Sequence, residues 1–339
     1  MDYCIYDLLF PGEQQFLFSS LFAMEAFQGP KYVQEITANA LPWFSHDVIK
    51  NICDFDCELR YARSFGDKKS RIGAIISPKS GHVFVWGGPA AEIYTLNGRF
   101  VGKFRPQIEN GSDLCPRSMV FDTNGELYVI GMWQCRVYVF KEDGILIRSW
   151  SLEFKNKIPE KPSCLALDGQ GCIYVATSQE NNVNYGSKSS VYKFGLSGAR
   201  ISQIERGTIF SPKTEPELHA AGLAVGQGKT YVHLPYSRSV SVHSDTDMVR
   251  LKHAMPMVYN KPECVLTPFG STLALDIIGN LILADAISNS LHFWGETTYK
   301  VIEKAGPHKF IKVWGVSYCK TNRIMLVTNL DDRIDVFSY

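Results

Sequence analysis

One short segment of alternating apolar residues recurs six times along the 339 residues: HVFVWGG from His82, ELYVIGM from Glu126, CIYVATS from Cys172, KTYVHLP from Lys229, NLILADA from Asn280 and RIMLVTN from Arg323. The start-to-start steps are 44, 46, 57, 51 and 43 residues. A period of two is that of a strand, whose side chains point to opposite faces. A chain that repeats one strand unit this often cannot bury each unit alone, so the units must stack. The spacing is that of a four-stranded propeller blade, with longer loops in the third and fourth steps.

The residues around each copy supply the other strands. An apolar run precedes every copy, at 72–78, 116–122, 162–168, 221–227, 270–276 and 314–320, and most of these end at a Gly-bearing turn such as Asn124-Gly125. A second alternating segment follows each copy: EIYTL from Glu92, VYVF from Val137, VYKF from Val191, SVSVH from Ser239, LHFW from Leu291 and RIDVF from Arg333. A fourth, more polar strand is predicted at 99–104, 145–150, 200–205, 247–252 and 299–304. The sixth unit ends at Tyr339 without one, while the alternating stretch 58–65 has no unit of its own. Pairing these two closes the ring and removes an open edge of unpaired backbone groups. The expected fold is therefore an all-β, six-bladed β-propeller closed by an N-terminal strand.

The order Pro-x-x-apolar run, Gly turn, Tyr-Val strand and Val-x-Phe strand is plainest in PRSMVFDTNGELYVIGMWQCRVYVFKEDG, from Pro116 to Gly144. It resembles the NHL repeat. The resemblance spans about residues 58 to 339 and is sharpest in the units at Pro116, Pro162 and Gly270. No Trp-Asp pair ends the third strands, as it would in a neighbouring propeller family. NHL propellers of tripartite-motif proteins follow a RING, B-boxes and a coiled coil; these residues contain none of the three patterns, so ubiquitin-ligase activity is not implied.

Residues 1–57 fall outside the period and read as a helical N-terminal segment, either a cap on the propeller or a docking segment for another protein; 58–339 form the propeller. The most apolar stretch near the start, 16–27, is only twelve residues long and contains Glu25, which is too short and too polar for a membrane span. Nine cysteines, an odd number with several inside apolar runs, read as reduced thiols and point to the cytoplasm, with the nucleus as the alternative. A formal charge of +1 gives no field that would hold nucleic acid by itself.

Catalytic and metal-binding patterns are sparse. The eight histidines are scattered, with only His219 and His233 near each other on elements approaching the axis, and no His-x-His or His-Glu-x-x-His spacing occurs. Histidines satisfied by neighbouring backbone are the simpler reading. Cys53 and Cys57 have no matching pair nearby. Asp122, Asp168 and Asp276 precede Gly turns in successive well-formed units, which predicts turn capping; Asp285 is the fourth carboxylate of the set. The reading is of no catalytic residues, no metal, no cofactor and no small-molecule substrate.

Loops between the second and third strands, and between blades, share one face of a propeller. Here they carry Trp133, Tyr185, Tyr236 and Arg238 with the cations Arg105, Lys157, Lys309 and Lys312, amid comparable numbers of acidic residues. Aromatic and arginine side chains in mixed charge make a protein-binding surface. The expectation is a non-enzymatic scaffold or adaptor for a protein partner. Single-stranded RNA is the alternative ligand, through base stacking and phosphate contacts, and a metal-dependent lyase or hydrolase is the third reading.

Overall fold

The computed structural model describes residues 60–66, 73–108, 111–131, 134–152, 161–178, 189–204, 222–234, 239–244, 250–256, 272–286, 288–295, 299–331 and 333–338. The helical reading of 1–57 lies outside them. Among the described residues every regular element is a strand, and Arg60–Ser338 is one compact unit.

After β1 (Arg60–Phe65), blade 1 comprises β2 to β5 (Gly73–Ile76, Val83–Trp86, Ala91–Tyr94, Phe100–Phe104) and blade 2 comprises β6 to β9 (Pro116–Phe121, Leu127–Gly131, Arg136–Phe140, Leu146–Ser151). Blade 3 holds β10 to β13 (Lys161–Leu167, Ile173–Ser178, Ser189–Phe194, Arg200–Ile204), and blade 4 holds β14 to β17 (Gly222–Gly226, Lys229–Leu234, Ser239–Ser244, Arg250–Pro256). Blade 5 is β18 to β21 (Leu273–Leu275, Leu281–Asp285, Ser290–Trp294, Tyr299–Ile302). A two-stranded hairpin, β22 (Lys304–Ala305) and β23 (His308–Lys309), leads into blade 6, which is β24 to β26 (Val313–Cys319, Ile324–Asn329, Ile334–Ser338) completed by β1. The outer strand of blade 4, Arg250–Pro256, pairs with β16 from Ser239↔Pro256 to His243↔Arg250 through two register shifts, and 247–249 lie outside the described residues.

Each innermost strand touches that of the next blade, in the order β2, β6, β10, β14, β18, β24 and back to β2. That circuit is the ring. The second and third strands are apolar on both faces because both faces are covered: Phe84 and Trp86 pack with Met119, Leu127 and Val129 between blades 1 and 2, and Tyr128 and Ile130 pack with Leu165, Ile173 and Val175 between blades 2 and 3.

The closing strand pairs antiparallel from Arg60↔Ser338 to Phe65↔Ile334. Asp335, fully buried, accepts hydrogen bonds from the Ser64 hydroxyl of that strand and from the Asn329 amide at 2.8 Å, and forms an ion pair with Arg333, whose Nε lies 3.0 Å away. One carboxylate thus joins three groups at the seam.

The turn aspartates behave as capping residues. Asp122 Oδ1 accepts the N–H groups of Asn124 and Glu126 at 2.9 and 2.8 Å, and Asp168 Oδ1 those of Gln170 and Cys172 at 2.8 and 2.7 Å. Asp276 accepts from Ile278, from Asn280 and from the Asn280 side chain. Ser77 does the same in blade 1 for the N–H groups of Lys79 and Ser80. The glycine that closes each of these turns, Gly125, Gly171 or Gly279, has a φ of 82 to 87° that other residues rarely adopt. Asp276→Ala leaves two backbone donors without their acceptor and is expected to lower stability by about 1–2 kcal/mol, measured as a shift of the urea midpoint at constant slope.

Candidate active site at the junction of blades 4 and 5

Strand alternation places Leu281, Leu283 and Asp285 on the face of blade 5 that packs on blade 4, where Tyr231, Val240 and Val242 meet them. His292 lies opposite Leu283 and Ser290 opposite Asp285, so both share that face. His233, two residues beyond Tyr231, looks across from blade 4. The apolar junction therefore ends in a buried polar group at the loops between the second and third strands: His233, Asp285, Ser290 and His292 are all at most 5% exposed.

His292 is held on both ring nitrogens. Its Nδ1 meets the Tyr299 hydroxyl at 2.7 Å; its Nε2 lies 2.9 Å from Ser290 Oγ, 3.2 Å from Ser288 Oγ and 3.4 Å from Asp285 Oδ2. The ring also stacks on Trp294, with centroids 5.5 Å apart, and on Tyr299 at 6.0 Å. A proton arriving at Nε2 would sit beside the Asp285 carboxylate, and the one on Nδ1 would face the Tyr299 oxygen. These contacts fix the orientation of the ring. Burial and the Asp285 charge push the Tyr299 phenol up, so Tyr299 stays a neutral hydroxyl.

Ser288 is the exposed member of the group. Its hydroxyl donates to Asp285 Oδ2 and contacts Ser290 Oγ, while its N–H also reaches Asp285 Oδ2 at 3.2 Å. The next residue, Asn289, has a φ of 53°, and its side chain accepts the Lys312 N–H at 2.6 Å; Lys312 itself has a φ of 46°. Two left-handed non-glycine residues bonded to each other hold this turn in shape, an arrangement typical of functional sites. Among the described residues no three His, Cys, Asp or Glu side chains are placed to hold a metal ion.

Of the binding residues expected from sequence, Arg105, Lys309 and Lys312 are exposed. Arg105 follows β5 at the junction of blades 1 and 2, whereas Lys309 and Lys312 share the segment between blades 5 and 6. Only Lys312 is tied to the polar group, through Asn289. Trp133, Tyr185, Tyr236, Arg238 and Lys157 lie outside the described residues, as does His219. Two readings are corrected. Asp285 differs from its three companions: it sits at the opposite end of the blade, and besides accepting the Ser288 N–H its carboxylate lies beside His292. His233 and His292 are held by side chains, Thr272, Tyr299 and serines, rather than by neighbouring backbone.

No family model and no curated relative matches the chain. Its fold is nonetheless shared with solved structures. A catalytically inactive histidine-to-alanine variant of virginiamycin B lyase from Staphylococcus aureus, with quinupristin, superposes at TM-score 0.55 and 13% identity, covering 83% of this chain and all of that one. The selenomethionine form of the same lyase gives 0.54 at 12% identity, also over 83% of this chain and 100% of that chain. A gluconolactonase-like protein gives 0.57 at 12% identity over 82% of this chain and 91% of its own. The chain is a six-bladed β-propeller. The expectation of a non-enzymatic chain is contradicted by these neighbours, a lyase and a gluconolactonase-like protein by name. At such identities the likeness speaks for the fold, and the chemistry of this propeller has to come from its own residues.

Proposed function

We propose that this propeller is an enzyme of acyl transfer to water, a hydrolase of esters or lactones, with its site at the loop end of the junction between blades 4 and 5. The observation that carries the reading is Ser288: an exposed hydroxyl in contact with a buried carboxylate and 3.2 Å from the Nε2 of a histidine whose other nitrogen is already held. Nucleophile, base and orienting group within hydrogen-bond reach are what covalent catalysis requires. Of the two serines beside the base, Ser288 is exposed and Ser290 is not, so Ser288 is the one that a substrate carbonyl meets first.

In this reading the Ser288 hydroxyl turns from Asp285 to His292, and Oγ attacks the carbonyl carbon as its proton passes to His292 Nε2. The imidazolium, paired with Asp285, then returns that proton to the departing alkoxide. Water repeats the sequence on the acyl-enzyme and regenerates Ser288. The named activities of the two neighbours, a lyase and a gluconolactonase-like protein, agree with proton transfer on this fold. Kinship with NHL propellers is a separate proposal and rests on the repeat from 116 to 144.

The test is hydrolysis of a panel of p-nitrophenyl esters and small lactones by the full-length chain. Turnover that falls at least about a hundredfold in Ser288→Ala, with the β-sheet circular dichroism unchanged, is the expected result. A panel without turnover, or turnover indifferent to Ser288, would overturn the proposal.

A further inference from the structure

His233 takes no part in the relay just described, yet it faces the same junction. Its Nδ1 meets Thr272 Oγ1 at 2.7 Å, while its Nε2, inside a residue only 4% exposed, meets no partner among the described residues. A buried polar atom left unpaired costs free energy, so a histidine held this way needs an occupant for Nε2. The support behind the ring is built for the purpose. Gly222 pairs with His233 across β14 and β15, and a Cβ at Gly222 would overlap Thr272 Oγ1 and crowd Leu273. Only glycine leaves room for the threonine hydroxyl to fix the imidazole.

The ring is also kept neutral. Burial lowers the His233 pKa to about 4; the Asp285 carboxylate opposes that shift, and His292 adds to it. A neutral imidazole offers either a lone pair or an N–H at Nε2, according to which way the Thr272 hydroxyl points. A hydroxyl group is the ligand that satisfies both states, because it donates and accepts. A carboxylate or phosphate would instead be repelled by Asp285.

From this we infer that His233 Nε2 is the specificity contact of the site, receiving a hydroxyl of a hydroxyl-bearing substrate while Ser288 and His292 act on its carbonyl. The inference rests on the hydrolase reading for its second half only. The paired probes are glucono-δ-lactone and δ-valerolactone, which share a six-membered lactone ring and differ in hydroxyls. Wild-type chain is expected to prefer the hydroxylated lactone, and His233→Phe to cut that preference about tenfold, chiefly through KM; Gly222→Ala, which displaces the Thr272 support, moves it the same way.

A binding readout separates this inference from the hydrolase reading. In 15N-histidine spectra of the full-length chain, adding sorbitol, which has no carbonyl, is expected to shift the His233 Nε2 resonance and leave that of His243 in place. A shift without turnover of either lactone sinks the hydrolase reading and keeps the hydroxyl contact. Turnover with an unchanged preference in His233→Phe, or no Nε2 shift with sorbitol, overturns the inference.

Discussion

Asp335→Ala is expected to lower the stability of the ring by about 3 kcal/mol. The side chain is wholly buried at the seam, and its loss takes one partner each from the Ser64 hydroxyl, the Asn329 amide and the Arg333 guanidinium, leaving them Tyr61, the Arg333 carbonyl, and Asp331 with the Lys309 carbonyl. Ser64 belongs to β1, so the damage falls on the one strand that arrives from the other end of the chain. A weakened seam exposes the edge of β26, and an open edge recruits other chains. The urea midpoint should drop, and the variant should aggregate at temperatures the wild type tolerates.

The same residue sets a pH signature. Burial raises the Asp335 pKa above its ordinary 3.8, against the lowering pull of Ser64, Arg333 and Asn329. A carboxyl group with a raised folded pKa favours folding most when protonated, and that contribution fades as pH climbs through the folded pKa. The stability of wild type relative to Asp335→Asn should therefore increase as pH falls through the raised pKa toward 3.8. A difference that shrinks over that window would contradict the burial argument.

His292→Ala is expected to lower kcat/KM on any substrate of this site by about two to four orders of magnitude, the usual range for a positioned general base. His292 stands opposite Leu283 in the middle of the third strand, so the variant should also lose some stability, while the apolar contacts of Leu281 and Leu283 with blade 4 remain to hold the ring. Loss of activity at a temperature where the β-sheet circular dichroism matches the wild type separates catalysis from folding. Tyr299→Phe, which removes the Nδ1 partner but keeps the stack on His292 and Trp294, should lose less.

The ring was legible in the sequence because a six-fold period leaves few alternatives, and the closing strand was legible because one unit lacked a fourth strand while 58–65 lacked a unit. The site was not, for a reason of distance. His233 and His292 stand on different blades, and only the packing of those blades brings their faces together. A usable signal was nevertheless present in the repeat. At the fifth position of the six second strands stand Trp86, Ile130, Ala176, His233, Ala284 and Val327; at the sixth stand Gly87, Gly131, Thr177, Leu234, Asp285 and Thr328. One histidine and one aspartate break the pattern, in neighbouring copies. Asp335 breaks the third-strand pattern in the same way, standing where the other five copies carry Ala91, Val137, Val191, Val240 and Leu291. Residues that depart from a structural repeat mark places where something other than packing is served, and here they are the site and the seam. Grouping Asp285 with the turn aspartates hid the first of them.

The most direct measurement is covalent capture of the nucleophile. The full-length chain is treated with a fluorophosphonate, digested, and mapped by mass spectrometry. The account predicts a single modified serine, Ser288, with labelling lost in His292→Ala; a chain that takes no label, or takes it on another serine with Ser288 untouched, would contradict it.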